Sequence, residues 1–382
     1  MTKKISVTTG TRAEYGILRP VLQSIQKNKK LKLFLIVTGT HLSKKHGFTI
    51  NEIKKDGFKI FRTIDMIPKG DNNYHMSIAL GKGVSAFSKI FRIIKPDINL
   101  LLGDRDEMLA SALAAYHMNI PNAHIHGGDK TQGGIDEYSR HAITKISNIH
   151  FAATKKSFAR ILKMGENPKY VFHSGSPSID EIVNNKITSK KELEKKYKIK
   201  FQQNEILLVH HPVTTQTKLS GKQIQNILKA LAQIRNTVIA LGPNSDAGSK
   251  AIFEQLISYS KKFNFFHLFN TIPRNDYLGF LKTCSVLVGN SSSGIIEASY
   301  FNIPVVNIGI RQKGRERGKN VIDVKTDKVD SIKLAIKKAL KTKTKKLKKE
   351  SIYGNGKASQ KIVRILEKIR LDNELIQKQI FY

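Results

Sequence analysis

One cysteine, Cys284, in 382 residues excludes an internal disulfide and any metal centre built on a cysteine cluster. It heads the apolar run Cys284-Ser285-Val286-Leu287-Val288, where a thiol reads as a small buried hydrophobe. No apolar stretch approaches the roughly 20 residues that a bilayer span requires. The opening Met1-Thr2-Lys3-Lys4-Ile5 lacks the apolar core and small-residue cleavage site of a signal peptide. A soluble, cytoplasmic protein without a membrane partner is the expectation. Acidic residues are scarce, 30 against 66 lysines and arginines, for a formal net charge of +36. Such an excess first suggests nucleic acid. The lysines, however, are spread over the polar faces of amphipathic segments. The one dense run, 341–349 (KTKTKKLKK), has no interleaved aromatics on which bases would stack. The charge therefore reads as a solvated surface that helps attract an anionic ligand, and polyanion binding is the less favoured reading.

What is present is an alternation of strand and helix signals, the pattern of parallel sheets with crossover helices. Strands are predicted at 5–9, 31–37, 98–102, 122–125, 149–154 and 171–174, with Gly175-Ser176-Pro177-Ser178 as a turn that ends the first half. After a lysine-rich helical stretch at 189–198, the alternation restarts with strands at 205–209, 237–241, 263–268, 285–288 and 304–308. Two α/β units follow: an N-terminal domain over 1–175 and a C-terminal domain over 176–357. The segment 358–380 spaces Ile362, Ile365, Leu366 and Ile369 as one amphipathic helix that packs back on either half.

The chemistry gathers in 100–145. Two apolar runs end in Gly103-Asp104-Arg105 and in His124-Ile125-His126-Gly127-Gly128-Asp129, delivering Asp104, Arg105, His126 and Asp129 to one sheet edge. Asp104, Asp129 and Asp136 are candidates for acid and base with separated pKa values. Asp136, four residues before Arg140, also suits a helix cap. His124 and His126 stand two apart, on one face of a strand, as chelators would. No third ligand at a suitable spacing accompanies them, so no metal is expected.

Gly10-Thr11-Arg12 turns a strand into a helix. It is either a plain turn or an anion site at a helix start, with Arg12 adding a guanidinium, but it is not the GxGxxG fingerprint. Gly289-Asn290-Ser291-Ser292-Ser293-Gly294 makes a phosphate cradle without a Walker lysine, or a serine-rich cap. Glu297, one turn on, is suited to ribose hydroxyls. Arg311 and Arg315 lie in a cationic loop suited to a diphosphate, and His211 follows the strand at 205–209.

These motifs, with Arg140-His141-Ala142-Ile143-Thr144-Lys145, His211-Pro212-Val213-Thr214-Thr215 and 243–249 (PNSDAGS), fall in the order seen in hydrolysing UDP-N-acetylglucosamine 2-epimerases. The chain resembles that family, of sialic and legionaminic acid synthesis, from about residue 5 to 320. The resemblance implies a GT-B fold of two Rossmann-like domains, substrate in the cleft between them, and a C-terminal helix crossing back to the first. It also implies a homodimer and a reaction without metal or cofactor. In that reaction UDP-N-acetylglucosamine, or a UDP- or GDP-linked 2,4-diacetamido-trideoxyglucose, loses its C2 proton and nucleotide to give a 2-acetamidoglucal. Water then adds to release the free 2-epimer. The resemblance carries acid/base roles to Asp104 and Asp136 and a place beside the phosphates to His211. Arg12, Ser291, Ser292, Ser293, Arg311 and Arg315 suit the leaving diphosphate. His126 stands where some members have glutamate, so His126 or Asp129 takes the proton-transfer role there. The rivals are a non-hydrolysing epimerase and a glycosyltransferase on the same fold.

Overall fold

The structure is a computed structural model. It describes the chain apart from residues 1, 71, 133–134, 245, 325–327, 343–351 and 382, and the side chain of Lys45. The lysine run at 341–349 thus lies outside the described residues from 343 on, as does Ser245 of the 243–249 segment.

The chain forms two units. The first comprises 1–130, 136–184 and 353–382, and the second 131–135 and 185–352. In chain order the first contains β1 (Lys3–Thr9), α1 (Arg12–Lys27), β2 (Leu31–Thr38), α2 (Ile50–Lys55) and β3 (Ile60–Ile64). Next come α3 (Asn73–Ile94), β4 (Ile98–Leu102), α4 (Asp106–His117), β5 (Asn122–Ile125) and α5 (Asp136–Lys145). It continues with β6 (Ile149–Ala152), α6 (Lys155–Lys163), β7 (Val171–His173) and α7 (Pro177–Asn184). The second unit runs α8 (Lys190–Tyr197), β8 (Ile206–Val209), α9 (Ser220–Ile234), β9 (Val238–Leu241), α10 (Ser249–Lys262) and β10 (Phe266–Phe269). It closes with α11 (Arg274–Thr283), β11 (Val286–Gly289), α12 (Ser292–Phe301), β12 (Val305–Ile308), β13 (Val321–Val324) and α13 (Val329–Lys341). α14 (Ala358–Lys368) and α15 (Asn373–Ile376) belong again to the first unit.

Both sheets are parallel throughout and doubly wound. Their orders are β3-β2-β1-β4-β5-β6-β7 and β10-β9-β8-β11-β12-β13. Strand order reverses between β1 and β4 in one and between β8 and β11 in the other, and such points are where open α/β sheets receive ligands. The central strands are buried on both faces, as parallel strands must be. Ile5, Val7 and Leu100 pack against Leu18, Leu22 and Ile25 of α1 and Ile362 and Leu366 of α14. In the second unit Ile206, Leu208, Val286 and Val288 pack on Ile227, Leu231, Ile332 and Ile336.

Edge strands β3 and β13 escape the sequence reading, because each keeps only one residue fully buried and so lacks an apolar run. The strand expected at 263–268 forms later, at β10, since Phe263 still caps α10. Gly175-Ser176-Pro177-Ser178 does not close the first unit but opens α7, with Pro177 at its first position. The single helix expected over 358–380 breaks into α14 and α15. The Lys3 ammonium takes the carbonyls of Leu366 at 3.1 Å and Glu367 at 2.8 Å, and Asp372 caps α15 through the Leu375 N–H. Among the described residues no helix is long and apolar enough to cross a membrane.

Candidate active site

At the carboxyl edge of the first sheet, the turns after β4 and β5 converge on α5. Gly103 makes the β4 turn at φ +79°, its N–H bonded to the Ile125 carbonyl at 3.0 Å. The buried Arg140 of α5 ties these turns together. Its guanidinium pairs with Asp104, donates to Glu137 at 2.8 Å and reaches the Asp129 carbonyl at 3.2 Å. Burial alone would lower the Arg140 pKa; the charges of Asp104, Asp129 and Glu137 outweigh it and raise the value.

His126 and His124 do not share a face. β5 ends at Ile125, and His126 turns into the left-handed region at φ +66°, which ends the alternation on which chelation depends. Nε2 of His124 bonds the Gly103 carbonyl at 2.7 Å and its Nδ1 faces Thr144 at 3.3 Å. Burial lowers the His124 pKa to about 3, so this ring is a neutral structural link. His126 instead faces Asp129 at 3.1 Å and Ser176 at 2.8 Å. Among the described residues no group of three or more His, Cys, Asp or Glu side chains is arranged to hold a metal ion.

The sheet's reversal point carries a second set of groups. Glu14 of α1 accepts the Gly10 N–H at 3.0 Å and is buried, and Glu107 of α4 accepts from Arg105 Nε at 3.1 Å. A Cβ at Gly10 would stand 2.9 Å from the Glu107 carboxyl carbon, and one at Gly39 2.4 Å from its oxygen. Glycine at both places admits the side chain. Burial, with Glu107 nearby, raises the Glu14 pKa to about 8. Arg12 pairs with Glu52 of α2, the bond from Nε measuring 3.0 Å. Asp104, His126, Asp129 and Arg140 therefore form one linked cluster, whereas Arg12 and Arg105 are held by their own glutamates. Asp136 is the first residue of α5, half-buried.

In the second unit Asn290, after β11, is the organiser. Its side chain accepts the His211 N–H and donates to the His211 carbonyl, both at 2.8 Å. Its own carbonyl accepts from Arg311 at 3.2 Å and Gln312 at 3.1 Å. Gly289 permits this turn at φ +133°, where a Cβ would stand 2.0 Å from the Val209 carbonyl oxygen. Ser291 caps α12, and its hydroxyl meets that of Ser293 at 3.0 Å; Ser292 is the first residue of that helix. Tyr277 bonds Ser293 as well. The helix start thus offers hydroxyls and N–H groups together, which suits an anion. Glu297, expected to meet ribose, makes a buried ion pair with Arg274. Arg315 follows in the turn closed by its N–H on the Gln312 carbonyl. His210 is buried with neither ring nitrogen bonded among the described residues, and burial, then Arg311, lowers its pKa to about 3.

Sequence reasoning missed Glu137, Glu107 and Ser176 as parts of these clusters, and also Asn244, whose N–H donates to His211 Nδ1 at 3.1 Å. Asn290 lay in plain view within the serine motif. Ser176 and Asn244 carried no signal, because each acts through a partner distant in sequence, whereas Glu137 and Glu107 stand only three and two residues from the arginines they bond.

Among known proteins, the family described as UDP-N-acetylglucosamine 2-epimerase matches residues 23–367. A Legionella pneumophila protein named UDP-N,N'-diacetylbacillosamine 2-epimerase (hydrolyzing) is 38% identical over 378 residues, 99% of each chain. A Campylobacter jejuni protein named GDP/UDP-N,N'-diacetylbacillosamine 2-epimerase (hydrolyzing) is 38% identical over 330 residues, 86% of each chain. The fold is similar to that of Neisseria meningitidis UDP-GlcNAc 2-epimerase in its crystal structure with UDP-GlcNAc. The TM-score is 0.80 at 21% identity, covering 96% of this chain and all of that one. The two doubly wound units are those of the GT-B fold. With most of its length matched by one family and relatives at this identity over 86 to 99% of the chain, it belongs to the UDP-N-acetylglucosamine 2-epimerase family, beside members named for the hydrolysing reaction.

Proposed function

We propose that this protein is a hydrolysing nucleotide-sugar 2-epimerase and that its preferred substrate is a UDP-linked 2,4-diacetamido-2,4,6-trideoxyglucose. The observation that carries the reaction class is the linked set Asp104–Arg140–Asp129–His126. It supplies ionisable groups within one hydrogen-bonded frame, as two proton transfers at one carbon require. The sugar preference rests on the diacetylbacillosamine named for both 38%-identical relatives.

In this reading the first step removes the C2 proton as the C1–O bond to the diphosphate breaks, leaving a 2-acetamidoglucal. Water then adds its hydroxyl at C1 and a proton arrives at C2 from the opposite face. The sum is substrate plus water giving the free 2-epimer plus nucleoside diphosphate. The C2 proton is weakly acidic, so stabilising the departing diphosphate supplies much of the rate. Ser291, Ser292 and Ser293 at the α12 start, with His211, Arg311 and Arg315, serve that end. Asp104 and Asp136, with His126 or Asp129, exchange the protons, and Arg140 holds Asp104 in place.

The test is proton NMR in deuterated water with the UDP-linked diacetamido sugar and with UDP-N-acetylglucosamine, each alone. Free 2-epimer carrying deuterium at C2, formed faster from the diacetamido sugar, is the expected result. A nucleotide-linked 2-epimer as end product would move the protein to the non-hydrolysing reaction. Faster turnover of UDP-N-acetylglucosamine would overturn the sugar assignment alone.

A further inference from the structure

We propose that Ser176 is a positioning residue for His126. With Asp129 it holds the imidazole by both nitrogens, and its rotatable hydroxyl lets Nε2 gain or lose a proton without losing its partner. The role in turnover rests on the epimerase reading above; the hydrogen-bond arrangement does not.

The geometry carries this in three ways. His126 is a non-glycine residue in the left-handed region at φ +66°, a conformation that persists where surrounding bonds over-determine it. Those bonds are Nδ1 to Asp129 Oδ2 at 3.1 Å and Nε2 to Ser176 Oγ at 2.8 Å. All three residues are buried, so these bonds act without competing water.

Each anchor is also fixed independently of the ring. Asp129 Oδ1 accepts from Ser157 Oγ at 2.7 Å, and Ser157 is held in turn by Thr154 at 2.9 Å. The Ser176 N–H donates to the Tyr353 carbonyl at 2.7 Å, where the chain re-enters the first unit. Gly175 beside it stands at φ +85°, and a Cβ there would lie 3.2 Å from that same carbonyl oxygen. Ser176 is thus an immobile anchor, set 50 residues from His126 in the chain.

The proton count follows from donor chemistry. A carboxylate only accepts, so Nδ1 carries the proton and donates to Asp129. Nε2 of the neutral ring then accepts from the Ser176 hydroxyl. If Nε2 gains a proton, the hydroxyl rotates and its oxygen accepts instead. A helix cap alone would need only that oxygen, which takes the Ser178 N–H at 3.3 Å, and would leave the hydroxyl proton without a purpose.

The experiment uses the full-length protein labelled with nitrogen-15 histidine, without substrate, and the variants Ser176→Ala, Ser176→Thr and Ser176→Cys. The His126 ring is identified by its loss in His126→Gln. The expected spectrum shows a protonated Nδ1 and an unprotonated Nε2 in the wild type. The Nε2 resonance shifts in Ser176→Ala, returns in Ser176→Thr and falls between in Ser176→Cys, whose thiol is a weaker donor. In turnover, Ser176→Ala lowers kcat about tenfold or more with KM within about twofold, and Thr restores it. A wild-type ring protonated at Nε2, or an Nε2 resonance unmoved in Ser176→Ala, would overturn the proposal. So would equal loss of kcat in the Ala and Thr variants at equal melting temperature. The expected spectrum from a wild type that turns over no nucleotide sugar would sink the epimerase reading and leave the Ser176–His126 coupling supported.

Discussion

The backbone N–H of Asn244 donates to Nδ1 of His211 at 3.1 Å. A ring nitrogen that accepts carries no proton, so the imidazole proton resides on Nε2. Asn290 holds the same residue by its backbone N–H and carbonyl, so both ring and chain are preset. His211 is therefore a neutral donor of fixed orientation, suited to an oxygen that gains charge as a bond to phosphate breaks.

His211→Ala is expected to lower kcat/KM for the nucleotide sugar by about 10²- to 10³-fold. His211→Gln keeps an N–H donor on a chain of similar reach and recovers part of the loss. Steady-state release of nucleoside diphosphate measures both. An alanine variant of near-wild-type rate would remove His211 from the chemistry.

Asp104→Asn keeps the size of the side chain and its contact with Arg140, which stays held by Glu137 and the Asp129 carbonyl. Turnover should fall by about 10³-fold or more. Affinity for UDP, read by calorimetry, should stay within about tenfold, roughly 1.4 kcal/mol. A parallel collapse of UDP affinity would make Asp104 a binding group.

Glu14 connects the reversal point of the first sheet to pH. Its pKa is raised by burial and by Glu107 to about 8 in the folded protein, against 4.5 for an ordinary glutamate. Between these values the folded state holds a proton that the unfolded chain has released. The associated stability is thus complete below about pH 4.5 and is lost as pH rises through 8. Glu14→Gln cannot ionise, and its carbonyl can still accept the Gly10 N–H. The variant should therefore gain stability over wild type as pH rises from 5 to 8.5, by on the order of a few kcal/mol. Parallel melting curves for the two proteins across that range would refute the assignment.

The C-terminal tail is fastened by Lys378. Its ammonium donates to the carbonyls of Lys145 at 2.6 Å and Ser147 at 2.7 Å and pairs with buried Glu166. Burial alone would raise the Glu166 pKa, but His150, Lys145 and Lys378 bring it down to about 2. Lys378→Ala should cost about 1–3 kcal/mol in urea unfolding near neutral pH. A depressed carboxyl contributes stability above its unfolded pKa, 4.5, that is lost as pH falls through 2. The difference between variant and wild type should shrink over that window. An undiminished difference at pH 2 would mean that the carbonyl contacts, not Glu166, carry it.

Much of this was legible along the chain. Strands such as 98–102 and 122–125 are short apolar runs closed by glycine or a polar turn, and each turn deposits its residues at the carboxyl edge of a parallel sheet. Burial on both faces favours a largely apolar central strand, so a local pattern suffices to point to Asp104, His126, His211 and the serines of 291–293. The edge strands β3 and β13 stayed hidden because a half-exposed edge does not require an apolar run.

What the sequence by itself determined is the alternation, the two units and the loops that carry chemistry, since these follow from side-chain periodicity and turn residues a few positions apart. Tertiary structure alone decided that Arg140 would hold Asp104, that Glu297 would pair with Arg274, that Ser176 would meet His126, and that Glu14 would keep its proton. Each depends on desolvation or on a partner brought from far along the chain. Desolvation is a property of everything packed around a group, and no local spacing of residues encodes it.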